Sequence, residues 1–377
     1  MNHALLATAS LLLCAVEGRA GFKYISGGGM GLSVVGDVYG NTLGALNLYL
    51  TGSDSDAPAN LKFTCRPGMN RGTLLATPCS GTTPQTVRIT IDPGTAGVYP
   101  GTYHTQIIFT DPSDSSVFGT TAFIDVTFRP VAPPVIGAVV SAASLQPSIS
   151  PGEVISVFGS SLGAPFLAAP VNSQGFYTPY LANAYVTFNG VPSPVLFNNT
   201  TQMNAVVPYS VAGQKTVQVV VWHYRGAPPE QSSPPVTVPV ADTSPGIFTL
   251  TQNGSGQGAI LNDGATVTVN GATNPAPKGS IITLFGTGAG LWNPPIADGL
   301  VLTNVLQPPV VPQAAVSLSI GGQPAPILYA GAAPGMVSGV LQVNAVVPNN
   351  IGSGAQPVVL SIGPGNNAQQ SVTLAIQ

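Results

Sequence analysis

The chain has 377 residues, with ten Lys plus Arg against thirteen Asp plus Glu; a net charge of −3 offers no basic patch to neutralise phosphate, which excludes nucleic acid as a partner. Charged residues make up only 6 % and hydrophobic residues reach 44 %, the reverse of the balance that keeps a chain disordered. With Gly 45 and Pro 37, the composition fits many short strands joined by turns.

The chain opens with an uncharged apolar run, Ala4 to Val16, too short to span a bilayer. Gly18-Arg19-Ala20 then places small residues at the two positions a signal peptidase inspects. Residues 1–20 therefore read as a secretory signal cleaved near Ala20, leaving a mature chain that is secreted or held at the cell surface. No Lys or Arg precedes the run, and Cys14 raises a lipoprotein alternative, against which stands the bulk of Leu13. No later segment has about 18 uninterrupted apolar residues, so no transmembrane segment is expected in the mature chain.

Residues 21–131 read as a first module. Gly27-Gly28-Gly29-Met30-Gly31 lacks the strand–helix setting and the Lys of a phosphate loop and is assigned to a turn. Asp54-Ser55-Asp56 with Asn60 offers oxygen ligands to calcium, but the EF-hand spacing and its closing Glu are missing, which favours a solvated loop. Once Cys14 leaves with the signal, Cys65 and Cys79 remain, and two cysteines in an exported chain imply one disulfide; two unpaired thiols are the alternative. Val87 to Ile91 alternates with a period of two, Asp92-Pro93-Gly94 is a turn, and Tyr103 to Thr110 and Ala122 to Phe128 are further strands. Arg129 to Pro134 then forms a stiff Pro-rich linker.

The rest of the chain is a duplication. Gly152 to Gly159, Val186 to Phe197 and Gln202-Met203-Asn204-Ala205-Val206-Val207-Pro208 recur in order as Gly279 to Gly286, Leu318 to Tyr329 and Gln342-Val343-Asn344-Ala345-Val346-Val347-Pro348. The offset between Gln202 and Gln342 exceeds that between Phe158 and Phe285, so the second copy has gained residues in its loops. Modules at 135–240 and 241–377 follow, with strands at Val217 to Trp222, Val236 to Val240, Val358 to Ile362 and Val372 to Ile376. The expected fold is all-β: three tandem immunoglobulin-like β-sandwiches. In each copy Val206 or Val346 is expected in the sandwich core. Pro208 and Pro348 should end the strand, and Asn204 and Asn344 should be partly buried and bonded to backbone across a neighbouring loop.

Val139 to Ser144, Ile149 to Gly159, Gln202 to Pro208, Ser244 to Phe248, Gly256 to Asn262, Asn274-Pro275-Ala276 and Leu341 to Pro348 resemble, in order, a C-terminal region of many secreted acidobacterial proteins of unknown function. Its halves are similar to IPT/TIG immunoglobulin-like domains, and the resemblance implies no catalytic residues. Thr83 to Val87 with Asp92-Pro93-Gly94 and Pro100 to Tyr103 resembles bacterial Ig-like repeats of the BACON type.

Gly159-Ser160-Ser161-Leu162-Gly163 follows a strand and satisfies the nucleophile-elbow pattern Gly-x-Ser-x-Gly, but Ala164-Pro165 stands where the helix should begin. The second copy has Gly286-Thr287-Gly288-Ala289-Gly290 there, with Gly288 in place of Ser161, so the shared requirement is a backbone turn. His104 falls in a different module from Ser161, and His223 falls in a strand where alternation sets it on the opposite face from Trp222 and Tyr224. Two histidines without a Cys/His cluster do not build a zinc site, and thirteen scattered acids favour no glycosidase pair. No catalytic, metal or cofactor residue is assigned.

The residues left for ligand binding are aromatic. Phe176, Tyr177, Tyr180 and Tyr185 flank a Pro-containing loop of the second module without counterpart in the third, and Trp222 and Tyr224 are expected on one strand face. Of these, Tyr177, Tyr180, Trp222 and Tyr224 are the candidate sugar-stacking residues; core packing and loop anchoring is the competing explanation. The expected function is structural, adhesive or recognition work outside the cell by a non-enzymatic chain, its partner an extracellular glycan or a surface protein. A carbohydrate-binding module array is the alternative, and a secreted hydrolase using Ser161 the third.

Overall fold

The computed structural model describes residues 21–26, 32–37, 42–54, 57–67, 74–91, 100–117, 119–163, 167–224, 230–302, 309–364 and 370–377. The signal reading at 1–20, the glycine run at 27–31 and two residues of the calcium candidate, Ser55 and Asp56, lie outside them. The chain divides into two compact units, Met1–Val131 and Ala132–Gln377. Among the described residues they hold three immunoglobulin-like sandwiches built from six sheets, and one further two-stranded sheet, Trp292–Asn293 with Val311–Pro312.

In the first unit, Gly21–Ser26, Leu46–Asp54, Gln85–Ile91 and Leu74–Thr77 form one sheet, with Ala57–Ala59 added on Leu46–Asp54. The facing sheet runs Thr42–Gly44, Ser33–Asp37, Thr120–Arg129, Gly101–Thr110, Lys62–Pro67 and Ser80–Thr82. Period-two alternation decides the core: Val87, Ile89 and Ile91 are buried from one sheet, and Ala122, Ile124, Val126 and Phe128 from the other. Cys65 and Cys79 are joined by a disulfide with their Cα atoms 5.0 Å apart. The bridge ties the strand Lys62–Pro67 to the entry of its edge partner Ser80–Thr82.

The second unit contains two sandwiches, each with its own core. In the earlier one, Val135–Ser141, Val154–Ser160, Gln202–Val206, Val195–Asn198 and Leu167–Ala168 face Val191–Pro192, Ala184–Phe188, Thr216–His223 and Gln231–Ser232. Val157, Val186, Phe188, Met203, Val219 and Val221 fill it. The later one sets Thr268–Val269, Ile260–Asp263, Ile281–Thr287, Leu341–Val346 and Ile327–Ala332 against Gly256–Gln257, Val372–Ile376, Gly354–Ile362, Val316–Ile320 and Gln323–Pro324. Ile282, Leu284, Trp292, Val343 and Leu360 are among its core residues.

These two sandwiches are bonded to one another. The Val154 N–H donates to Thr287 Oγ1 at 2.8 Å, and that hydroxyl donates in turn to the Gly339 carbonyl at 2.7 Å. The Tyr209 N–H donates to Asp298 Oδ1 at 2.8 Å, and Phe176 and Leu300 form a β-bridge. Val154, Val206, Ala333, Val337 and Val340 make an apolar cluster of their own in the seam. Gly152 is required here: a Cβ on it would stand 2.2 Å from the Tyr209 ring.

The seam corrects two expectations about the repeated motif. Val206 is buried in the seam cluster rather than in its sandwich core, which takes Met203, Ala205 and Val207, and Val346 is half-buried. Asn204 and Asn344 are half-buried, but their Oδ1 atoms accept from the side chains of Gln202 at 2.8 Å and Gln342 at 2.9 Å, not from backbone across a loop. The cause is the period of two, which puts Gln and Asn of each motif on one face. The strands end at Val206 and Val346, ahead of Pro208 and Pro348.

Candidate functional site

Ser161 follows the end of the strand Val154–Ser160 with φ +53°, and its counterpart Gly288 follows Ile281–Thr287 with φ +82°. The same left-handed residue closes the same strand in both copies, by glycine in one and at the expense of some strain in the other. His223 is 2 % exposed; burial lowers its imidazole pKa, opposed by a hydrogen bond to the Leu162 carbonyl. Strand pairing aligns it with Ala184, and the corresponding pair in the later sandwich is Ile362 with Val316. His223 thus occupies a position that its sister fills with an apolar side chain. His104 stands exposed in the first unit, 2.6 Å from Asp125 Oδ1.

Glu153 is fully buried. Burial pushes its carboxyl up to about 8, against the Ser141 hydroxyl and the Ser150 N–H and hydroxyl, which favour the charged form. The Ser150 N–H donates to Oε2 at 2.7 Å and its hydroxyl lies at 3.1 Å. In the sister sandwich Ser280 stands at this position, and its hydroxyl donates to the Pro277 carbonyl at 2.6 Å. Both side chains close the same four-residue turn, since the Glu153 and Ser280 N–H groups each donate to the first carbonyl of it at 3.2 Å. Glu153 is accordingly a turn-closing group whose burial favours the neutral carboxyl. A shallow cleft of ≈ 320 Å³ lies nearby, where Pro151 and Gly213 of one sandwich face Leu291 and Gln313 of the other across Asp242. Among the described residues, no group of three or more His, Cys, Asp or Glu is placed to hold a metal.

The aromatic residues separate. Tyr177 packs against the seam cluster, and its N–H donates to the Gly299 carbonyl at 2.9 Å. Tyr224 is 2 % exposed with φ +60°, and its ring lies edge-on to His223 at 5.7 Å. It therefore does not share a strand face with Trp222: the strand ends at His223, and the left-handed turn after it breaks the alternation. Tyr180 and Trp222 do come together, with Tyr185 between them.

That cluster is built by register. Ala184, Val186 and Phe188 point into the core, so Tyr185 and Thr187 point outward, and pairing sets Tyr185 opposite Trp222 and Thr187 opposite Val220. Tyr185 and Trp222 are stacked at 11° with centroids 6.1 Å apart, and Tyr180 meets Tyr185 edge-on at 5.3 Å. The Tyr185 hydroxyl donates to Glu230 Oε1 at 3.2 Å, and Trp222 Nε1 donates to Thr187 Oγ1 at 3.2 Å. On the far side of Trp222 the next strand places exposed Ser232. The corresponding pair in the later sandwich is Ser317 with Ser361, so this face folds without aromatics. Glu230 and Thr187 carry no signal of their own in the sequence; the hydrogen bonds from the Tyr185 hydroxyl and the Trp222 indole bring them into the cluster.

No protein-family model and no curated protein sequence matches the chain. Solved structures with a similar trace include a surface glycan-binding protein from a mixed-linkage glucan utilization locus of Bacteroides ovatus, in complex with a mixed-linkage heptasaccharide, at 14 % identity and TM-score 0.29 over 94 % of this chain and 70 % of that one. The D00-D0 domain of intimin matches at 10 % identity and TM-score 0.20, over 59 % of this chain and 100 % of that one. The tandem Ig repeats of Dlar match at 14 % identity and TM-score 0.17, over 59 % and 98 %. At these values the likeness carries nothing about ligands or activity.

Proposed function

We propose that this is an exported, non-enzymatic protein whose three sandwiches serve recognition, adhesion or structure outside the cell. One observation carries the recognition part: two copies of one fold present the same sheet face, and only one of them dresses it with Tyr185 and Trp222 where the other has Ser317 and Ser361. Tyr185 is buried, but Trp222 is half-exposed at a position where the fold accepts serine, so packing alone does not call for an indole there. The Cys65–Cys79 disulfide and the signal-like residues 1–20 support the compartment. The turn geometry shared by Ser161 and Gly288 and the burial of His223 speak against the hydrolase reading.

Fractionation of the native host tests this reading. Mass spectrometry should find the chain outside the cytoplasm, beginning near Gly21, with Cys65 bonded to Cys79. An unprocessed chain with both thiols free in the cytoplasm would overturn it. Esterase activity abolished by Ser161→Ala would overturn the non-enzymatic part.

A further inference from the structure

We propose that the outer face of the earlier sandwich of the second unit binds a neutral carbohydrate chain on Tyr180 and Trp222, the rings on either side of buried Tyr185, with Glu230 as the hydrogen-bonding group beside them. This rests on the recognition reading above and gives it a ligand class. The three rings lie in one run, and Tyr185 in the middle is held from both sides and only 6 % exposed. Tyr180 and Trp222 at the two ends are half-buried. Beyond Trp222 the row continues to Ser232, small and exposed on the short edge strand Gln231–Ser232, so among the described residues of that row no bulky side chain stands next to the indole on this side.

A pyranose presents C–H faces rimmed by hydroxyls, and the surface that suits it is an aromatic plane with a strong acceptor at its edge. A carboxylate accepts about four hydrogen bonds, and the Tyr185 hydroxyl takes one of those at Glu230 Oε1. The same carboxylate repels phosphate, sulfate and uronate, which selects for neutral sugars. Glu230 and Tyr185 also hold each other, so the platform is assembled before a ligand arrives. Packing accounts for Tyr185, which is buried between its two neighbours, but not for half-buried Trp222, whose place in the identical register of the sister sandwich is taken by Ser361.

The sister sandwich also supplies the test, since serine is a residue this face tolerates. The full mature chain is titrated calorimetrically with cellohexaose, mannohexaose and maltohexaose, each beside its Trp222→Ser variant. At least one neutral hexasaccharide should bind the wild type, and Trp222→Ser should lose tenfold or more in affinity while keeping its far-ultraviolet spectrum. Should Trp222→Ser fail to fold, Tyr180→Ala at the other end of the run carries the test with the same criterion. The proposal is overturned if none of the three sugars binds, if binding survives the substitutions, or if the face proves to seat a protein segment instead. Export without sugar binding would sink the ligand and leave the extracellular reading standing; sugar binding by an unprocessed cytoplasmic chain would do the reverse.

Discussion

Replacing Glu153 by glutamine should change how the stability of the second unit depends on pH. The folded carboxyl is pushed up to about 8 by burial, against an ordinary value of 4.5 in the unfolded chain. Between those values the folded state keeps a proton that the unfolded state has released, so unfolding is increasingly favoured as pH rises. The contribution of Glu153 is fully present below 4.5 and lost as pH climbs toward 8. The slope is at most about 1.4 kcal/mol per pH unit, and on the order of 3 kcal/mol should separate pH 5 from pH 7.5. The amide of the Glu153→Gln variant keeps an acceptor for the Ser150 N–H and hydroxyl but has no proton to lose. Both tryptophans, Trp222 and Trp292, belong to the second unit, so urea unfolding followed by their fluorescence reports that unit alone. The difference between wild type and Glu153→Gln, measured at pH 5, 6, 7 and 8, should widen in favour of the variant as pH rises. Parallel curves, separated by a constant amount, would refute the account of Glu153 as a buried neutral acid.

His223 has the opposite sign: its lowered pKa means the stability it permits is present above its unfolded value near 6.5 and lost as pH falls below it. His223→Ile, the residue its sister carries, should leave the second unit at least as stable at pH 7 and more stable at pH 5, read from the same urea curves. Thr287→Val leaves the buried Val154 N–H and the Gly339 carbonyl unpaired and should cost about 1–3 kcal/mol in denaturant unfolding. Cys65→Ser with Cys79→Ser should destabilise the first unit by about 3 kcal/mol and leave the tryptophan-detected transition unmoved.

The parts of this structure that read from sequence are those carried by local pattern. Alternation in Val87 to Ile91 marked a strand, whose Val87, Ile89 and Ile91 are buried, and Gly288 opposite Ser161 revealed a turn where a nucleophile motif stood, because a backbone constraint leaves its mark at one position. What did not read is set by partners far along the chain. Val206 faces the seam because Ala333, Val337 and Val340 arrive there from the other copy, and nothing in Asn-Ala-Val-Val-Pro announces them. Tyr224 leaves the Trp222 face because of one positive φ, which a tyrosine does not advertise as glycine would. Glu230 joins the aromatic run through a hydroxyl 45 residues away in sequence.

A duplicated immunoglobulin-like domain is usually a bead that recombination can move, copy or delete. The clasp made by Gly175 to Tyr177, whose backbone pairs with Gly299 to Val301, removes that freedom from this pair. A gene cut after Val240 would encode a sandwich with Val154 and Val206 turned out to water and a docking loop with no dock. The two copies are thus one structural unit, each completing a surface of the other. The difference between them, aromatics on one face and serines on the other, gives the whole unit two unlike ends rather than two interchangeable parts.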